Sequence, residues 1–373
     1  MTFNILRAKT IDLFAPPVTD KQKYNSWLNK NEAIDRKIKL KSYPRRIILE
    51  LTNACNYDCV MCGRNGTPFR TAFLDIFCVD KLNHIIDYVE EVTLFGWGEP
   101  TLHPQFREFV KKFDGKTIRK YLLTNGSTLK KIKSLLFEYK IDIVAVSIDG
   151  ATAETNNKIR KNANFNQIIE NLEHIVTFKK QHNLMFPYIN FVFTMMRSNI
   201  NELPDLIKLA NNIGIEEVKA VYLTAFTNEL ENEVLWGYKD MVKDIFEKSA
   251  EIAGKYEIKL KLPFLQGEDI AENKYHKDCY VGWRDFFIGA DSYIRPCQSS
   301  STKMLKFDKT LTFDEIWNSK EFQDFRLKVN DPKLMHANCK NCYQSSYANW
   351  NRREAFVCAE NDFSTIWKGD NID

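Results

Sequence analysis

No apolar run in the sequence approaches the ~18 residues that a membrane-spanning helix needs. The opening residues, MTFNILRAKTIDLF, lack the hydrophobic core of a secretory signal. Net charge is small too: 53 Lys and Arg stand against 49 Asp and Glu, for +4. No basic run interleaved with aromatics stands out, so nucleic acid is not an expected partner. The basic stretch 36–46 (RKIKLKSYPRR) reads as a solvated lead-in. Cysteine is sparse, and its total of nine is odd, which argues against a disulfide framework. These absences predict a cytoplasmic protein in a reducing setting, without a membrane span. The length of 373 residues predicts two or three domains, or one large barrel with an appendage.

The few cysteines are unevenly spread. Cys55, Cys59 and Cys62 stand in LELTNACNYDCVMCGRN, spaced C-x3-C-x2-C after a strand-like segment and with no fourth cysteine close by. Structural zinc sites use four ligands, usually as two pairs. Three thiolates instead suit a four-iron cluster whose last iron stays open to an exchangeable ligand. Downstream, EVTLFGWGEPTLHP reads as a strand that ends in a Gly-rich turn, Gly96–Pro100. Glycine lets backbone approach a ligand closely, and a carboxylate at a strand end accepts hydrogen bonds from an ammonium group.

Together these two runs resemble the radical S-adenosylmethionine enzymes. The resemblance implies that the open iron chelates the amino and carboxylate groups of S-adenosylmethionine. Electron transfer then releases a 5′-deoxyadenosyl radical, which abstracts hydrogen from a substrate. Gly98 and Glu99 match the family's GGE-type motif, which contacts the methionyl amine. Met61 stands where an aromatic residue often precedes the third cysteine, and its thioether suits packing against adenine.

From residue 45 onward strand-like and helix-like segments alternate. Strands are expected at 46–52, 92–96, 118–124, 141–149, 187–196 and 218–224, with helices near 80–90, at 105–113, 128–140, 165–181 and 202–214. Repeated βα units imply a parallel sheet. The fold class expected is α/β: a partial (βα)6 TIM-type barrel with a small C-terminal β-hairpin plus helix iron–sulfur domain. The division expected is an N-terminal extension (1–44), the barrel core (45–235), a linking helix/strand segment (236–275) and the auxiliary domain (276–373). Residues 1–44 look irregular, broken by Pro16-Pro17, and either wrap the core or cover a site.

In βα barrels the site lies at the C-terminal strand ends. Asn125, Ser147, Asp149 and, in the next loop, Arg160 occupy such places; Asn-Gly and Asp-Gly also make turns with no ligand. Polar side chains at these places could hold ribose hydroxyls and a carboxylate of the cofactor, and the resemblance implies that Arg160 pairs with the methionyl carboxylate. Met195, Arg197 and Asn199 end the fifth strand and are either contacts or satisfied loop residues.

A second cysteine set, Cys279, Cys297, Cys339 and Cys342, follows the pattern C-x17-C-x41-C-x2-C. Four thiolates around one centre make a zinc site or a fully ligated iron–sulfur cluster. Between the first two, a hairpin turns at Ala290-Asp291-Ser292; a helix at 313–329 precedes CKNC. This tail resembles the twitch and SPASM appendages, which hold auxiliary [4Fe–4S] clusters. Only Cys358 follows, where a full SPASM domain has more, so one auxiliary cluster is implied. Ser292 replaces a usual glycine. Cys78 reads as core. Cys358 is open: a buried residue of a terminal helix, a ligand, or a thiol hydrogen donor to a substrate radical.

The reading is an enzyme, a radical S-adenosylmethionine oxidoreductase. The first hypothesis is oxidation or epimerisation of a sugar-, cyclitol- or nucleotide-like small molecule, with the auxiliary cluster as electron acceptor. The alternative is a maturase acting on a peptide or protein. Relatives of that kind often carry an N-terminal winged-helix module, for which the 44 residues before the first strand are too few. An external reductant of flavodoxin or ferredoxin type is implied. An electron carrier or metal-binding scaffold would not need the Gly98-Glu99 turn. Specificity residues are expected on strand ends and in 225–275.

Overall fold

The structure is a computed structural model that describes residues 19–64, 70–225, 228–263, 265, 279–297, 303–307, 310–331, 333–336, 339, 346–347 and 351–352. The chain begins with helix α1 (Asp20–Ile34), strand β1 (Arg46–Leu49) and the two-residue strand β2 (Asp58–Cys59). A single-turn helix α2 (Phe77–Asp80) leads to β3 (Glu91–Leu94). Then follow α3 (Phe106–Lys111), β4 (Arg119–Thr124), α4 (Leu129–Glu138), β5 (Ile143–Ser147), α5 (Ala153–Ile159) and the short β6 (Arg160–Lys161). Next come α6 (Phe165–Gln181), β7 (Tyr188–Met195), α7 (Leu203–Ile213), β8 (Glu217–Tyr222), α8 (Lys239–Lys255) and β9 (Lys259–Lys261). The C-terminal part supplies α9 (Val281–Arg284), β10 (Asp285–Ile288), β11 (Tyr293–Arg295), β12 (Leu305–Lys306), α10 (Phe313–Trp317) and α11 (Lys320–Lys328).

One sheet orders its strands β12-β11-β10-β1-β3-β4-β5-β7-β8-β9. Every pairing from β10 through β9 is parallel. The six expected βα units are therefore present, and their strands are apolar because helices cover the outer face. Helix α7 illustrates the fit: Leu203, Leu206, Ile207, Ala210 and Ile213 form its buried face, and Gly214 ends it in the left-handed region at φ 94°.

Three features differ from expectation. The segment near 80–90 is not one helix but α2 and a 3₁₀ turn at Ile86–Tyr88. The hairpin β10–β11 does not stand apart, because β10 pairs in register with β1, from Arg46↔Asp285 to Leu49↔Ile288. Residues 236–275 are more than a link, since β9 extends the barrel sheet at its other edge.

Residues 1–44 also contain a regular helix. Thr19 and Gln22 form a capping box at the start of α1. The buried face of α1 is polar, formed by Gln22, Asn25, Asn29 and Glu32. Gln22 donates to the Val89 carbonyl (2.7 Å), Asn25 to Tyr43 and Tyr88, and Asn29 to the Trp283 carbonyl (2.8 Å) and the Ser42 hydroxyl. Val89, Tyr43 and Trp283 stand just before β3, β1 and β10. Helix α1 thus closes the N-terminal end of the barrel, opposite the strand ends expected to carry the site. Just inside lies a charged floor of pairs: Arg46 with Asp285 (3.0 Å), Arg119 with Glu91 (2.9 Å) and Lys261 with Glu217 (3.0 Å).

Candidate functional site

The loop after β1 carries the three clustered cysteines across the C-terminal mouth. Cys55, Cys59 and Cys62 line one cavity there, together with Met61, Gly98, Glu99, Asn125, Ser147 and Arg160. Of the cofactor contacts expected from sequence, Asp149 alone is not in this lining.

N–H groups surround the sulfurs. The Tyr57 backbone donates to Cys55 Sγ (3.5 Å), as does Asn125 Nδ2 (3.7 Å), and Arg160 Nη1 donates to Cys59 Sγ (3.7 Å). Asn125 is held in turn by Asn56 Oδ1 (2.9 Å). The Arg160 contact is built by local pairing: β2 and β6 run antiparallel with Cys59 opposite Arg160. Such donors stabilise thiolates that bind iron and tune the cluster they hold. Burial pushes the Cys59 thiol up to about 12, against the pull of Arg160, and raises Cys55 and Cys62 as well. Iron binding must therefore release protons from these thiols. Among the described residues no three His, Cys, Asp or Glu side chains form ready ligands to a single ion. A cubane places its three thiolates on three different irons, a wider spacing than one ion demands. The donor set fits a cluster with one open iron.

Asp149 lies behind the cavity and is fully buried. One oxygen pairs with Arg160 Nη2 at 2.7 Å, and the other accepts from the Thr194 backbone at 2.7 Å. Arg160 Nε is buried and has no hydrogen-bond partner among the described residues. Asn199 donates to the Asp149 and Thr194 carbonyls, which makes it a loop staple. Arg197 hydrogen-bonds the Tyr238 hydroxyl, and Met195 is core.

The turn after β3 lies close against the cysteine loop. A Cβ on Gly98 would sit 2.3 Å from the Thr52 carbonyl oxygen and 2.4 Å from that of Ala54. The Glu99 backbone N–H donates to the Ala54 carbonyl at 2.8 Å. The Glu99 carboxylate is buried and already has protein partners: Thr101, the Thr124 hydroxyl (2.8 Å) and the Asn125 N–H (2.7 Å). It thereby fixes the end of β4 relative to the turn. Gly96 lies over Glu50, whose Cγ would be 2.3 Å from an added Cβ. Glu50 accepts from the Trp97 N–H (2.8 Å) and from the Ala290 N–H (3.0 Å) in the C-terminal hairpin. Sequence reading missed Asn56, Tyr57, Arg64 and Trp97, which border the cavity or its donors; their one signal is closeness to the motif residues.

At the C-terminal set, Asn330 clamps Cys279, accepting its N–H (2.7 Å) and donating to its carbonyl (3.2 Å). Cys297 follows β11, and Cys339 is described; Cys342 and Cys358 lie outside the described residues. The hairpin turns as expected, with Ser292 in the left-handed region at φ 63°. Cys78 is buried core.

Residues 49–210 match the Radical SAM superfamily, and residues 279–343 match the SPASM iron–sulfur cluster-binding domain. The chain is 22% identical to a tungsten-containing aldehyde ferredoxin oxidoreductase cofactor-modifying protein of Pyrococcus furiosus, over 79% of this chain and 86% of that protein. It is 25% identical to an AdoMet-dependent heme synthase of Methanosarcina barkeri, over 82% and 90%. The crystal structure of Streptococcus suis SuiB bound to S-adenosylmethionine shares the fold, with a TM-score of 0.64 and 16% identity over 87% of this chain and 79% of that chain. The cofactors these two domains imply are a [4Fe–4S] cluster with S-adenosylmethionine in the first and auxiliary iron–sulfur in the second. No helix among the described residues is long and apolar enough to cross a membrane. The chain belongs to the radical S-adenosylmethionine superfamily, as an enzyme with a C-terminal SPASM domain.

Proposed function

We propose that this enzyme acts on a small, cofactor- or sugar-like molecule held inside the barrel, oxidising or epimerising it. The observation that carries the reading is the single cavity at the strand ends, shared by the three cysteines, the Gly98 turn and the Arg160 and Asn125 donors. When bound, the cluster on Cys55, Cys59 and Cys62 and its S-adenosylmethionine supply a 5′-deoxyadenosyl radical for hydrogen abstraction, and one auxiliary [4Fe–4S] cluster on Cys279, Cys297, Cys339 and Cys342 accepts the electron of an oxidation.

The chain's own residues have separate tasks in this reading. Gly98 allows close backbone approach to the methionyl end. Arg160 offers its Nε–H to the carboxylate, while Asp149 holds its Nη2 and Cys59 its Nη1. Asn125 and Tyr57 keep donors on Cys55. Met61 packs on the adenine, and Ser147 faces the ribose. Glu99 positions the turn and the end of β4. An external one-electron reductant of flavodoxin or ferredoxin type completes the system, in a reducing, cytoplasmic setting.

The two relatives that match over most of their length support a small-molecule substrate, being named for cofactor modification and heme synthesis. Peptide modification is the second reading. A groove of about 400 Å³ beside the cysteine loop, lined by Val60, Ile159, Met196 and Leu230, favours it.

Elemental analysis after anaerobic reconstitution is the first test. About eight irons and no zinc per chain are expected for two four-iron clusters. About four irons would remove the auxiliary acceptor from the scheme. Cys297→Ala should keep 5′-deoxyadenosine formation and lose the oxidised product; full turnover in that variant would overturn the electron-acceptor role.

A further inference from the structure

The barrel's inner face can be traced through its register. Side chains alternate along a strand, and residues paired across neighbouring strands share a face. Ser147 and Leu123 line the cysteine cavity, so theirs is the inner face. Ser147 pairs with Val192 on β7, and Val192 pairs with Lys219 on β8. Lys219 therefore points into the lumen. Tyr121 precedes Leu123 by two residues on β4 and points the same way.

Both side chains lie over the charged floor. They respond to the same three charges, Glu91, Glu217 and Arg46, which places them together. The floor's other cations are matched: Arg46 to Asp285, Arg119 to Glu91, Lys261 to Glu217. The Lys219 ammonium and the Tyr121 hydroxyl have no hydrogen-bond or ion-pair partner among the described residues, and both residues remain partly accessible. Lys219 thus adds an unmatched cation to a layer whose carboxylates are already taken: Glu91 by Arg119, Glu217 by Lys261, and Asp285 by both Arg46 and Arg284.

We propose that the Lys219 ammonium and the Tyr121 hydroxyl bind the anionic end of the substrate, a carboxylate or a phosphate, inside the barrel beneath the cysteine cavity. This rests on the reading of the lumen as the substrate chamber. An oxyanion there supplies the missing counter-charge and accepts from both donors. Burial, with the Lys261 ammonium nearby, pulls Lys219 down to about 8, against the carboxylates of Glu217 and Glu91. Burial raises Tyr121, so its hydroxyl keeps its proton and donates. The titratable and charged groups that face this layer are Arg46, Glu91, Arg119, Glu217, Lys261 and Asp285, with Arg284 on Asp285, Tyr188, whose hydroxyl donates to Glu217, and Lys259, which pairs in register with Glu217.

Acetic anhydride labelling of the reconstituted full-length enzyme tests this, with acetylation at Lys219 read by peptide mass spectrometry against the exposed Lys23. The Lys219 rate should rise with pH around a midpoint near 8. Inorganic phosphate or pyrophosphate, or acetate or succinate, should slow it several-fold and leave Lys23 unchanged. The protecting class identifies the substrate's anionic group. Tyr121→Phe should keep the fold and lose much of the protection. A Lys219 that never reacts, or reacts equally with and without every anion, would overturn the proposal. 5′-deoxyadenosine formation measured on the same preparation separates the two readings. Its presence without protection sinks the anion site alone, whereas its absence despite full iron loading sinks the proposed activity.

Discussion

Gly98 and Ser292 occupy positions where the backbone sets what side chain fits. At Gly98 an added methyl group meets two carbonyl oxygens of the cysteine loop, neither of which moves without the loop. Gly98→Ala should cost about 1–3 kcal/mol of stability and lower iron content, checked by chemical denaturation and iron analysis of one preparation. Ser292 is the opposite case. Its φ of 63° lies where a residue with Cβ is disfavoured by roughly 1–2 kcal/mol. Its side chain also hydrogen-bonds the Cys78 thiol, a weak bond that offsets part of that cost. Ser292→Gly should therefore raise the melting temperature modestly; a lower Tm would mean that the Cys78 contact outweighs the backbone strain.

At the scale of elements, α1 shows a helix held by polar contacts. Asn29 alone donates to Ser42, Tyr43 and Trp283, joining the entries to β1 and β10. Asn29→Ala takes the donor from the buried Trp283 carbonyl, while Tyr43 keeps its bond from Asn25, and a loss of about 1–3 kcal/mol is expected in urea unfolding. This also explains what was legible in the sequence and what was not. Helices such as α7 show themselves through apolar residues at helical spacing, and the strands through apolar runs. Helix α1 turns Gln22, Asn25, Asn29 and Glu32 inward, so hydrophobic periodicity does not reveal it. The cysteine loop and the Gly98 turn were legible because their chemistry is fixed by residue type and spacing. Lys219 and Tyr121 were not, because their meaning comes from register between strands, which only the folded sheet supplies.

At the scale of the whole molecule, the C-terminal part completes the barrel as well as adding to it. Strand β10 covers the outer edge of β1, and the buried Asp285 binds Arg46 and Arg284 together. These guanidinium groups hold the Asp285 carboxyl below the usual carboxylate range. The sign follows from that depression: the stabilisation is complete above the unfolded value of about 4 and fades as pH falls through the lower folded value. Asp285→Asn should cost about 3–5 kcal/mol near neutral pH by leaving the buried Arg46 and the partly exposed Arg284 unpaired. The gap to wild type should narrow in acid, as urea titrations at several pH values will show. A chain cut before residue 276 should leave the β1 edge open and aggregate, read by size-exclusion chromatography.

The pairing of β1 with β10 also sets an order of events during synthesis. Arg46 and Asp285 lie 239 residues apart. The ribosome therefore releases β1 with one edge unsatisfied and adds that edge's partner only after the rest of the barrel has emerged. The cysteine loop leaves the ribosome early, attached to this unfinished strand. Stable insertion of iron is therefore expected only once the hairpin has been translated.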